Sequence, residues 1–144
     1  MTNDERTTGM GLWTDAKNML AAAKLVSAEE HLVTPAYYLA GHGIEEVFKA
    51  YLRSHGHSIG KLKKIGHNLI IARNEAIRCG FEDSYTLNGQ EKTVIGQLNG
   101  YYKDKHFEYR VTGYMSLPLL PDLIALGERM LYSIKSVCMA SIGI

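Results

Sequence analysis

The sequence predicts an all-α protein, a bundle of four to five helices. Apolar residues recur at three- and four-residue steps along most of the chain, no segment alternates strictly between strand-type flanks, and helix-start and helix-stop residues punctuate the periodic stretches. With 144 residues, 46% of them hydrophobic and 22% charged, the chain can bury one core without disulfides or metal. It is too apolar and too nearly neutral to be disordered. No repeat, low-complexity stretch or linker divides it. It therefore reads as a flexible N-terminal tail, residues 1–9, followed by a single helical domain, residues 10–144.

The first amphipathic helix rests on Leu12, Trp13, Ala16, Met19, Leu20, Ala23 and Val26. The second is expected to start at Thr34-Pro35, a hydroxyl cap followed by proline at the first helical position. Its apolar stripe is Tyr37, Ala40, Ile44, Val47, Phe48 and Tyr51, and Gly56 stops it. A basic loop over residues 58–66 follows. The third helix, residues 67–79, places Leu69, Ala72, Ala76 and Cys79 on one side, with Gly80 as the residue past its end. The fourth, residues 88–103, carries Val94, Ile95, Leu98, Tyr101 and Tyr102. Residues 104–117 read as an irregular connection. One last helix is expected from Pro118 or Pro121 through Leu123, Leu126, Met130, Leu131, Ile134 and Cys138.

Composition excludes several functions. No apolar run approaches the roughly 18–20 residues of a membrane span; the richest, residues 117–126, is broken by Pro118, Pro121 and Asp122. The polar start Met-Thr-Asn-Asp-Glu-Arg is not a secretory signal, which predicts a cytoplasmic protein. Cys79 and Cys138 have no ligand or redox spacing and read as buried thiols. The net charge of +1 conceals an asymmetry. Residues 49–78 carry seven basic side chains against one acidic, whereas residues 1–48 carry three against seven and residues 79–144 six against seven. A uniformly basic nucleic-acid binder is excluded, but a localised anion site is not.

Four groups of residues bear on chemistry. His42, Glu45, Lys49 and Arg53 follow one another around the second helix opposite its apolar stripe. They form either a solvated, ion-paired face or the wall of a groove or subunit interface. His42-x-x-Glu45 matches half of a carboxylate-bridged di-metal motif, but the sequence holds no second copy. His55, His57 and His67 lack the tight pairing of zinc ligands and read as imidazoles facing water, so no metal is expected. Lys61, Lys63, Lys64 and His67 lie between Gly60 and the start of a helix, where lysines and free backbone N–H groups suit a phosphate; the alternative is an ordinary solvated turn. Residues 101–110 interleave aromatic and basic side chains. They could stack bases and hold phosphates, or simply seal the end of the bundle.

In this order the features resemble the HEPN (higher eukaryotes and prokaryotes nucleotide-binding) domain. The likeness is carried by the stretch Tyr38-Leu39-Ala40-Gly41-His42-Gly43-Ile44-Glu45-Glu46-Val47-Phe48-Lys49-Ala50-Tyr51-Leu52, by Gly66-His67-Asn68-Leu69 and by Tyr109-Arg110. The resemblance implies a helical homodimer with a cleft at its axis and no cofactor. It also implies either a metal-independent endoribonuclease, often of a toxin–antitoxin or phage-defence system, or a non-catalytic partner of a nucleotidyltransferase. The ribonuclease signature of that family is an arginine followed after four to six residues by a histidine. Here Arg110 is followed by Val111 through Leu117 without one, while His106 precedes it.

The leading expectation is therefore a HEPN-like homodimer that binds RNA or a nucleotide through Lys61, Lys63, Lys64, His67 and Arg110, with cleavage weak or absent. A ribonuclease would have to use Arg110 with His106 or Tyr114 in place of the missing histidine. A third reading is an interaction module for a nucleotidyltransferase or antitoxin, with the Glu45–Lys49 stripe at its interface.

Overall fold

A computed structural model describes residues 2–104 and 116–144 and shows an all-helical bundle. Eight helices appear among these residues: α1 (Asn3–Arg6), α2 (Gly9–Val26), α3 (Val33–Ser54), α4 (Ile59–Ile65), α5 (Leu69–Arg78), α6 (Gly89–Tyr102), α7 (Leu120–Ser133) and α8 (Lys135–Ala140). No helix among them is long and apolar enough to cross a membrane.

The 22-residue α3 is the axis of the fold, with α2 running along it and α5, α6 and α7 covering its other sides. Glycines set how closely these helices approach. A Cβ on Gly43 would lie 2.8 Å from Leu20 Cγ, and one on Gly127 of α7 would lie 2.7 Å from Leu20 Cδ2. Only glycine lets α3 and α7 both close on that one leucine of α2. Phe48, fully buried on α3, packs edge-on against Phe81 with ring centroids 5.3 Å apart. Both cysteines are free thiols; Cys138 is buried and Cys79 half-buried.

The chain departs from its sequence-based outline at four places. The second predicted helix, α3, starts at Val33 rather than being capped by Thr34, because a 3-10 turn over Glu30–Leu32 runs straight into it. Pro35 then falls in the first turn, where its missing N–H removes no helical bond. The expected basic loop is the helix α4. Ser58 Oγ accepts from Lys61 N at 3.2 Å as its cap, Leu62 buries into the core, and Gly66, at φ 61°, ends it. The last predicted helix is two, parted at Ile134. There the Leu131 carbonyl accepts from Trp13 Nε1 at 2.6 Å and the Met130 carbonyl from Ser133 Oγ at 2.7 Å, so the acceptors that would carry the helix onward are engaged elsewhere. Finally, the stretch expected as a tail contains α1, and Arg53 reaches back to it. Arg53 Nε donates to the Thr7 carbonyl at 2.9 Å and Nη2 to the Asp4 carbonyl at 3.0 Å.

Candidate functional site

Two adjacent glutamates of α3, both buried, organise the polar interior. Glu45 is surrounded by donors. Its Oε2 accepts from Lys49 Nζ at 2.8 Å, one helical turn on. Its Oε1 accepts from the Tyr102 hydroxyl at 2.8 Å and lies 2.7 Å from His67 Nδ1, which as the partner of a carboxylate carries the proton. Lys49 also donates to the Gly66 carbonyl at 2.7 Å, so α3, α6 and the α4–α5 junction meet at one carboxylate. Burial pushes the Glu45 carboxyl upward, but Lys49, His67 and Tyr102 together outweigh it and hold the group below its ordinary value. Gly41 makes room for this arrangement, since a Cβ there would sit 2.6 Å from Tyr102 Cδ1.

Glu46 faces the α2 side and lacks such donors. His42 Nε2 lies 2.7 Å from Glu46 Oε1, an ion-pair distance, yet neither Glu46 oxygen has a well-directed hydrogen bond among the described residues. Burial pushes its carboxyl up to about 7, with His42 opposing the shift; contact with Glu46 in turn raises His42. The Asp15 carboxylate of α2 completes a group in which ligand atoms of Asp15, His42 and Glu46 all lie within 4.8 Å of one another. Tyr102 links the two halves, because its oxygen lies 3.2 Å from His42 Nδ1 while its proton goes to Glu45. Tyr38 stacks on the His42 ring at a 6.1 Å centroid separation.

The stripe foreseen on α3 is thus largely interior. Glu45 is buried and Lys49 nearly so, covered by Tyr102 and His67; a solvated face is corrected for both. Arg53 is occupied by the main-chain carbonyls of α1 and its neighbourhood, and like His42 it keeps partial exposure. His57 does not face water either: its Nε2 lies 3.0 Å from Glu75 Oε1 and its side chain is 12% exposed. Arg78 pairs with the same carboxylate, and these two partners hold Glu75 down to about 2.

The anion site expected ahead of α5 is changed in character. The Leu69 N–H is taken by Asn99 Oδ1 at 2.7 Å and the Ile71 N–H by Asn68 Oδ1 at 3.1 Å, so two first-turn donors are already satisfied. His67 belongs to the Glu45 network. Lys61, Lys63 and Lys64 are exposed on α4, and Lys61 and Lys64 line a shallow cavity of about 200 Å³ with His57, Ile65, Ile71 and Glu75. Arg110, His106 and Tyr114 lie outside the described residues.

Asp15, Glu46, Asn99 and the polar role of Tyr102 have no sequence signal of their own, apart from the placement of Tyr102 near a helix end. Three groups of potential metal ligands emerge among the described residues: Asp15–His42–Glu46, His42–Glu45–His67 and His57–Glu75–Cys79. In comparisons with known proteins, the chain matches no family model, no curated protein and no solved structure.

Proposed function

We propose that the protein is a HEPN-like helical homodimer that binds RNA or a nucleotide by its phosphates at the α4 surface, with cleavage weak or absent. One observation carries this reading. Of the seven cations in residues 49–78, four already have partners within the chain: Lys49 on Glu45, Arg53 on main-chain carbonyls, Arg73 on Asn74 and the Lys92 carbonyl, and Arg78 on Glu75. The remaining three, Lys61, Lys63 and Lys64, stand exposed on one helix without an ion pair among the described residues. Clustered, unpaired cations are what a phosphate backbone meets favourably.

The test is a titration of labelled single-stranded RNA between 50 and 200 mM salt, with Lys61→Ala/Lys63→Ala/Lys64→Ala as the variant. Neutralising three phosphates on a single strand gives a log–log salt slope of about −2, which the triple variant removes. Binding that ignores both salt and the variant rejects the reading. The same RNA, followed for cleavage with Arg110→Ala as control, separates a binder from a ribonuclease. Light scattering on the eluted protein measures the dimer.

A further inference from the structure

We propose that Asp15, His42 and Glu46 bind one divalent first-row transition cation of the Zn²⁺ or Mn²⁺ type, between α2 and α3. The argument begins at Tyr102. Its hydroxyl has one proton, donated to Glu45 Oε1 at 2.8 Å, so the oxygen can only accept from His42 Nδ1 at 3.2 Å. The proton of a neutral His42 is therefore on Nδ1, and Nε2 presents a lone pair. That lone pair faces Glu46 Oε1 at 2.7 Å. Two acceptors at this distance need a positive species between or beside them.

Glu46 supplies the second observation. Its side chain is only 5% exposed, and neither oxygen has a directed hydrogen bond among the described residues. Buried polar groups are satisfied as a rule, and an exception calls for a partner. Asp15 brings a second carboxylate from the other helix, so the three ligand atoms within 4.8 Å comprise two carboxylates and an imidazole. Metal–ligand bonds of about 2.0–2.2 Å set ligand atoms roughly 3–4.4 Å apart, so the His42–Glu46 contact opens by a few tenths of an ångström on binding. Two negative charges match a dication, and nitrogen with carboxylate oxygen suits Zn²⁺ or Mn²⁺. The chain His42–Tyr102–Glu45 is the outer-shell support that fixes the orientation of a ligating imidazole.

The other two groups are poorer. Glu45 already has Lys49, Tyr102 and His67, and Glu75 already has Arg78 and His57. The competing explanation for the close His42–Glu46 contact is a proton shared between them, with no metal affinity.

The experiment uses the full chain, stripped with chelator. Zn²⁺ is added while thermal unfolding and binding heat are followed, and Co²⁺ while its ligand-field absorption is followed. The expected result is one equivalent bound, a rise in melting temperature, and no thiolate-to-metal charge-transfer band. Asp15→Asn, at an exposed position, and Glu46→Gln each weaken binding about tenfold or more, and Tyr102→Phe weakens it about 10–100-fold through His42. His57→Asn and Cys79→Ser leave it unchanged. Absence of saturable uptake into the millimolar range, uptake indifferent to Asp15→Asn, or uptake lost with Cys79→Ser would each overturn the site. None of these readouts involves RNA, so this proposal fails or stands apart from the phosphate-binding one.

Discussion

Glu45 and Glu46 occupy consecutive positions of α3 and are buried to the same degree, 4% and 5% exposed, yet they live in opposite chemistries. One turns toward α5 and α6 and collects three donors; the other turns toward α2 and finds one imidazole and a second carboxylate, Asp15, beside it. Burial therefore does not decide the charge of a carboxylate here; the neighbours do. On the Glu45 side polarity is structural, tying three parts of the chain together. On the Glu46 side it is left open, which is the condition for binding something.

Removing the better-served carboxylate should have the larger effect. Glu45→Ala leaves the ammonium of Lys49 in the interior without its carboxylate, and the expected loss is about 3–5 kcal/mol in urea unfolding. A loss below about 1 kcal/mol would show the network to be ornamental.

Acidity tests the other side, in chelated protein. The folded-state value of Glu46, about 7, lies above its ordinary 4.5, so between those values the fold holds a proton that the unfolded chain has released. That stabilisation is complete below pH 4.5 and is lost as pH rises through about 7; the raised His42 acts in the same direction. The rise of the Glu46 carboxyl from 4.5 to about 7 corresponds to at most about 3–4 kcal/mol. Melting temperature should fall from pH 5 to 8, and Glu46→Gln should flatten that fall.

Smaller changes sharpen the contrast. Gly41→Ala drives a methyl into the Tyr102 ring, which disturbs both glutamates at once, and should cost about 1–3 kcal/mol by thermal unfolding. Glu46→Gln should shift stability by less than about 1 kcal/mol at pH 4.5, where the folded protein keeps Glu46 neutral, because a neutral amide replaces a neutral carboxyl with no directed partner to lose.

Much of the architecture is legible in the sequence. The stripe Ala16, Leu20, Ala23 identifies α2, and Asn88 four residues before Lys92 opens α6 where expected, with a reciprocal Asn88–Glu91 cap. What escapes is short or non-local. The three lysines hide α4, whose only helical marks are the Ser58 cap and one buried leucine in seven residues. The polar stripe of α3 looks solvated on a helical wheel, because a wheel cannot show that α5 and α6 will cover it. Asp15 is 27 residues from His42, and only the α2–α3 packing brings them together. Asn99 is an ordinary amide between Leu98 and Gly100 in the sequence, and its role appears only when the first-turn N–H of Leu69 in α5 needs an acceptor.

Tyr102 has a consequence of its own. Its hydroxyl passes hydrogen bonds in one direction, in from His42 and out to Glu45, and bonds aligned head to tail polarise one another. Whatever tightens one end tightens the other, and thermodynamic reciprocity requires the converse. The exposed ring of His67, bonded to Glu45, is the surface terminus of that relay. A charge arriving beside His67 would thus be felt, one phenol away, at a buried acid on the far side of the same helix.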